Sequence, residues 1–143
     1  MAQKEKDKQE LFVNTPPPKD LYIRLNFKFG VDWEKGVIFT YNNKIYSKYP
    51  ISEDLVKHEL VHIRQQNDFI GGSDAWWNKY LEDKEFRLNQ ELEAYRKQFR
   101  WSKANIKDRN RLFNILRHSA IDLSSSMYGD ILSYEEALKE IQK

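Results

Sequence analysis

The stretch His58-Glu59-Leu60-Val61-His62 constrains this chain more than any other, because its chemistry works only on a helix. Two histidines four apart lie one turn above the other, since 3.6 residues complete a turn. Both imidazoles can then reach one small cation, and neutral imidazole is a good ligand for zinc. Glu59 cannot easily share that coordination, being one residue past the first histidine. It is placed instead to take a proton from a water that the ion activates. The chain has only three histidines, and two of them stand here with the glutamate between them.

The remaining composition limits how an ion can be held. There is no cysteine, so disulfides and thiolate-bound zinc are excluded, and histidine and carboxylate must do the work. At 143 residues, 40% hydrophobic and 14% aromatic, the chain is long and apolar enough for one domain with a packed core. Lys+Arg 24 against Asp+Glu 22 leaves a net charge of +2, which gives no reason to expect a nucleic-acid partner. No apolar run is long enough to span a bilayer, so no membrane association is expected. The start, MAQKEKDKQELFV, lacks the apolar centre of a secretory signal, and the expected location is the cytoplasm.

Residues 1–19 read as a flexible tail closed by Pro16-Pro17-Pro18, and residues 20–143 as a single domain. From Leu21 to Phe29 apolar residues alternate with polar ones and Tyr22, the pattern of a strand with one buried face. Val37–Tyr41 and Lys44–Tyr46 flank Asn42-Asn43, a pair suited to a tight hairpin turn. These segments predict a small antiparallel sheet of about three strands.

Ser52, Glu53 and Asp54 mark the start of a helix over 53–69, with Leu55, Val56, Leu60 and Ile63 among its apolar contacts and Gly71-Gly72 ending it. The motif therefore falls in mid-helix. Ser73 or Asp74 is a candidate cap for a short helix through Trp76, Trp77, Tyr80 and Leu81. The charged segment 82–100 reads as helical, with Leu81, Leu88, Leu92, Tyr95 and Phe99 on one stripe. Another helix over 106–121, a loop at 124–129 and a last helix capped by Ser133 and Glu136 complete an α+β domain in which four or five helices follow the sheet.

A hydrolytic zinc site takes three protein ligands and keeps one position open. Asp68 lies six residues after His62, but that arrangement needs a helix-ending Gly three residues after the histidine, and Gln65 stands there. Glu91 and Glu93, on the next long helix, are the other candidates. At about 100° per residue, Glu91 borders the stripe of Leu88, Leu92 and Tyr95 whereas Glu93 points away from it. Glu91 is the expected third ligand, with Glu93 and Asp68 as alternatives.

HELVH followed by Glu91-Leu92-Glu93-Ala94 resembles the gluzincin branch of zinc metallopeptidases, whose E-x-x-A element supplies the third ligand. The chain is more specifically similar to small phage- and prophage-encoded proteins of zincin-like fold, over about residues 37–100. The resemblance implies a zincin-like fold, one zinc ion per chain on His58, His62 and Glu91, and peptide-bond hydrolysis with Glu59 as general base. For a phage-encoded member the location would be the host cytoplasm. Many gluzincins carry an acidic or amide residue four positions after the ligand glutamate to support a ligating histidine; Tyr95 stands there instead. In the resembling fold the substrate pairs with an edge strand beside the motif helix, which would be Val37–Tyr41 or Lys44–Ser47.

The tetrahedral oxyanion needs a further donor, for which His118 and Tyr128 are the candidates. Two other classes of function compete with the enzyme. One is a binding module that kept the motif and lost turnover, for which Glu59 would have no use. The other is nucleic-acid binding through Arg87, Arg96, Lys97, Arg100, Lys103, Lys107, Arg109 and Arg111, against which stand the interspersed acids and near-zero net charge.

Overall fold

A computed structural model describes residues 11–143, so the first ten residues of the expected tail lie outside the described residues. The order of elements is β1 (Phe12–Val13), α1 (Lys19–Phe29), a 3-10 turn (Trp33–Lys35), β2 (Ile38–Tyr41), β3 (Lys44–Ser47), α2 (Glu53–Asp68), α3 (Gly72–Glu82), α4 (Lys84–Asn105), α5 (Arg109–Leu123), a second 3-10 turn (Ser126–Tyr128) and α6 (Tyr134–Ile141). The class is α+β as the sequence predicts; five of the six helices among the described residues follow the hairpin, as expected, and the sixth, α1, precedes it.

The hairpin forms where it was expected. Asn42 and Asn43 take φ values of 47° and 66°, the left-handed pair that a two-residue hairpin turn requires. The sheet's other members differ from expectation. Its order is β1-β3-β2, with β1 parallel to β3, so the sheet is mixed, not purely antiparallel. The third strand is Phe12–Val13, from the segment read as tail. Lys44–Ser47 is thus the central strand, and of the two candidate substrate edges only Ile38–Tyr41 borders the sheet.

Leu21–Phe29 forms a helix, contrary to the strand that its alternation suggests. The alternating set contains Leu21, Leu25 and Phe29, which also recur at the helical spacing of four, and the two periods cannot be separated here. Local signals favour the helix: Pro18 precedes it, Asp20 sits in its first turn, and Gly30 (φ 65°) closes it by donating to the Asn26 carbonyl. Leu21 and Leu25 are buried while Ile23 and Phe27 stay exposed, the sorting a helix gives and a strand does not.

α2 runs over the expected span, with Ser52 at the cap position but without a side-chain capping bond. Val61 is buried and Leu60, named as a contact, is exposed. Neither Ser73 nor Asp74 caps α3, because Gly71 (φ 96°) occupies that position. Ser73 instead bonds Asn42 N–H and Gln66, and Asp74 accepts from the Tyr41 hydroxyl, so both tie α3 to the hairpin. Asp83 and Asp108 cap α4 and α5, and Ser133 with Glu136 forms the predicted capping box on α6.

Two apolar clusters result. Leu21, Leu25, Trp33 and Phe39 pack with Trp76, Trp77, Tyr80 and Leu81, joining α1 and the sheet to α3. Leu88, Leu92 and Phe99 pack with Leu116, Ala120, Leu123 and Ile141, joining α4 to α5 and α6. The motif helix α2 packs on α4 between them, where the buried groups are polar.

Candidate metal centre

His58, Glu59 and His62 lie on the inner face of α2, each no more than 7% exposed. On α4 the facing strip is Glu91, Ala94 and Gln98, at helical spacings of three and four, and all three are buried. Ala94 is the smallest side chain on that strip and is fully buried, so α2 can approach closely there. Glu91 Oε1 sits 3.0 Å from His58 Nε2 and 2.8 Å from His62 Nε2, and the two ring nitrogens are 3.2 Å apart. Donor atoms about 2.0–2.1 Å from one tetrahedral ion would be separated by about 3.3–3.4 Å. The triangle is thus of the right size for three ligands of a single ion after a small expansion.

The chemistry of the donors fits as well. Gln98 donates through Nε2 to Asp54 (2.8 Å), which turns its Oε1 toward His58 Nδ1 (3.1 Å). Gln65 donates through Nε2 to the Gln90 carbonyl (3.0 Å) and to Glu93 (2.8 Å), which turns its Oε1 toward His62 Nδ1 (2.8 Å). Facing an acceptor, each Nδ1 carries a proton, so an imidazole in its neutral form would present its Nε2 lone pair to the centre. Tyr80 donates to the outer oxygen of Glu91 (2.6 Å), leaving Oε1 aimed inward. A divalent cation that displaced any Nε2 proton would therefore meet three electron pairs converging on one point.

Burial alone would lower the His62 pKa, but the charge and hydrogen bond of Glu91 outweigh it and raise it to about 9. Burial likewise opposes ionisation of Glu91, and the two histidines prevail, holding its carboxyl well below the usual range. Glu59 is raised, chiefly by burial. Its carboxylate lines the central cavity, and no described residue donates a hydrogen bond to it. A buried carboxylate of raised pKa with no donor beside it is suited to exchanging protons with water.

The cavity measures about 300 Å³. Leu25, Val31, Trp77 and Met127 give it an apolar wall, and Ile38 to Thr40 of β2 form its rim. Tyr128 also lines it, and burial together with nearby carboxylates holds its phenol protonated, well above the usual range. Its hydroxyl lies 3.4 Å from Asp122, which also takes the Tyr95 hydroxyl. Tyr95, at the position where the resembling family has an acidic or amide residue, packs its ring on His58 (centroids 4.4 Å apart). The supporting amide comes from Gln98, one turn further along α4.

Several sequence-derived candidates fall elsewhere. His118 is exposed on α5 and lines a separate groove. Asp68 is exposed and pairs with Arg64. Glu93 points outward, pairing with Arg64 and fixing Gln65, so it positions His62 from a distance. Of the basic residues considered for nucleic acid, Arg87 is buried, donating to the carbonyls of Met127, Tyr80 and Leu81, and Arg96 is tied to Glu140. Gln65, Gln98, Asp54 and Tyr80 went unread in the sequence. Their signal was present, since Gln65 follows His62 by three and Gln98 follows Glu91 by seven, both on the inner face.

Replacing Gln98 by Leu should lower zinc affinity by about 10–100-fold, because the His58 tautomer is then no longer held. A competitive chelator titration checks this, with Glu93→Ala expected to have a smaller effect since Gln65 keeps the Gln90 carbonyl. No protein-family model, no curated protein and no solved structure matches this chain.

Proposed function

We propose that the protein is a zinc-dependent metallopeptidase, with the ion held by His58, His62 and Glu91. The observation that carries this reading is the convergence of the His58 and His62 Nε2 atoms and Glu91 Oε1 beside a Glu59 with no donor of its own among the described residues. The sequence resemblance to gluzincins points the same way at the same four residues. Zinc in such a site supplies Lewis acidity, lowering the pKa of water toward 7 and polarising a carbonyl. Glu59 accepts the proton of the attacking water and passes it to the leaving amine. Tyr128, held protonated at the cavity wall, would stabilise the oxyanion by turning its hydroxyl from its long contact with Asp122.

The substrate backbone is read by β2. Tyr41 and Lys44 flank the two-residue turn and bond each other across it, so the backbone groups of Thr40 and Ile38 point away from β3. The Thr40 carbonyl is already taken by Trp77 Nε1 (2.8 Å) and Gln66 Nε2 (3.2 Å). Ile38 is left to pair with an extended peptide, while the apolar wall accepts a side chain next to the scissile bond. A binding module without turnover is the competing reading, and a partnerless buried Glu59 disfavours it.

The direct test is hydrolysis of an unfolded protein such as reduced, alkylated casein. Cleavage should disappear on treatment with a strong chelator and return on adding one equivalent of zinc per chain. Persistent cleavage in the chelated protein, or none in the zinc-loaded protein, would remove the proposal.

A further inference from the structure

Asp122 of α5 lines the same cavity as the metal centre, together with Glu59 and Glu91. No Lys or Arg is among the described residues that line it. The hydroxyls of Tyr95 and Tyr128 both fall on Asp122 Oδ2, and Oδ1 has no donor among the described residues. No fully buried side-chain oxygen of those residues lacks a partner, so Oδ1 is open to solvent. Asp122 also borders the groove beside α5, where Arg111 and His118 form no ion pair with it. Glu59, 7% exposed, likewise lines the cavity without a donor.

The charges of this cavity do not cancel. Ligating imidazoles are neutral, and a zinc ion brings two positive charges against the carboxylates of Glu59, Glu91 and Asp122. Glu59 and Glu91 match the ion, which leaves the charge of Asp122 without a counterpart. Burial opposes that charge, so a cation beside Oδ1 would offset a cost. A second metal ion does not suit the place. It needs several ligands, and His58, His62 and Glu91 are the one converging group of three among the described residues. An ammonium carried on carbon suits it better, since Leu25, Trp77 and Met127 give the cavity an apolar wall.

We propose that Asp122 selects substrates carrying an ammonium group on the residue whose carbonyl is attacked, either the free α-amine of a chain's first residue or the side chain of a lysine. The inference rests on the metallopeptidase reading. Tyr95 sets the span: its ring packs on His58 and its hydroxyl reaches Asp122, so one tyrosine side chain separates the carboxylate from a metal ligand. The residue bearing the scissile carbonyl can bridge that gap. Oδ1 accepts from the ammonium in a charge-assisted bond, while Oδ2 keeps Tyr95. A substrate carboxylate meets no Lys or Arg among the described lining residues, so an acidic residue or a free C-terminus beside the bond is disfavoured.

The test reads binding to the zinc-loaded wild-type protein of amino-acid hydroxamates, which anchor on the metal and have no peptide bond to cleave at that position. Leucine hydroxamate carries a free α-amine, Nα-acetyl-lysine hydroxamate only a side-chain amine, and Nα-acetyl-leucine hydroxamate neither. Calorimetric titration at about pH 6.5 keeps both kinds of amine protonated. At least one ammonium-bearing ligand should bind on the order of ten-fold more tightly than the acetylated leucine compound, and which one does so identifies the source of the charge. Asp122→Asn is nearly isosteric and still accepts from Tyr95. In it that preference should vanish, while zinc content and the affinity for Nα-acetyl-leucine hydroxamate stay as in the wild type. Equal binding of all three ligands by the wild type, or a preference that survives Asp122→Asn, overturns the subsite. An equal fall for all three in the variant also overturns it, since Asp122 then acts through the fold. Absence of casein cleavage removes the peptidase reading, whereas chelator-sensitive cleavage without an ammonium preference removes only the subsite.

Discussion

Glu59→Gln should reduce peptide hydrolysis by about 10²–10⁴-fold while leaving one zinc ion per chain, because a positioned general base contributes on that scale. The separation of the two effects follows from geometry. Glu59 lines the cavity but is absent from the triangle formed by His58, His62 and Glu91. Glutamine is nearly isosteric, so the packing of α2 on α4 should survive. Removing a buried carboxylate of raised pKa should slightly stabilise the fold, since burial, the chief cause of that raised pKa, opposes its charge. Steady-state kinetics on a peptide substrate, with metal analysis of the same sample, decides the matter. Equal cleavage by both proteins would mean that Glu59 is not the base.

Glu91→Ala should have the largest effect on the metal. It removes one of the three proposed ligands, so affinity should fall well beyond the roughly 10–100-fold that follows loss of an outer partner. Zinc should also cease to protect the fold. For the wild type, free zinc at about 1,000 times Kd adds about 4 kcal/mol to stability by mass action. In Glu91→Ala that increment should be absent at the same zinc concentration, as read from the thermal midpoint with and without metal. The variant has a second cost. Tyr80 donates to Glu91 and is 3% exposed, so its hydroxyl loses its partner, at a cost of roughly 1–3 kcal/mol. Glu91→Gln restores an acceptor for Tyr80 without restoring the anionic ligand, and it should recover much of the apo stability but little of the zinc affinity. Glu93→Ala should change both the apo stability and the zinc affinity far less than Glu91→Ala, because Glu93 is exposed and touches the centre only through Gln65.

The centre was legible in the sequence because its parts follow one rule. His58 and His62 share a helix face by spacing, and Glu91 borders an apolar stripe that had to face inward. Asn42-Asn43 marked the hairpin by the φ values it tolerates. The failures have physical causes of the opposite kind. At Leu21–Phe29 the apolar residues obey both periods, so only the caps at Pro18 and Gly30 separate helix from strand. Phe12–Val13 is too short for any periodicity, and its pairing with β3 is a tertiary fact. His118 is a case the sequence could have settled. It lies about 200° round the helix from both Leu116 and Ala120, the buried side, so it had to face outward. For Gln65 and Gln98 the spacing shows the inner face but not the role. An amide supports a histidine only when its own NH₂ is held elsewhere, here by Gln90, Glu93 and Asp54.

All of the chemistry depends on a single ion having two imidazoles and one carboxylate as its protein ligands. Zinc-edge X-ray absorption on the protein loaded with one equivalent of zinc examines that shell directly. Two imidazole ligands and oxygen neighbours at about 2.0–2.2 Å, with the imidazole signal lost in the His58→Ala/His62→Ala double variant, is the predicted result. A shell of oxygen alone, or one unchanged by that double substitution, would contradict it.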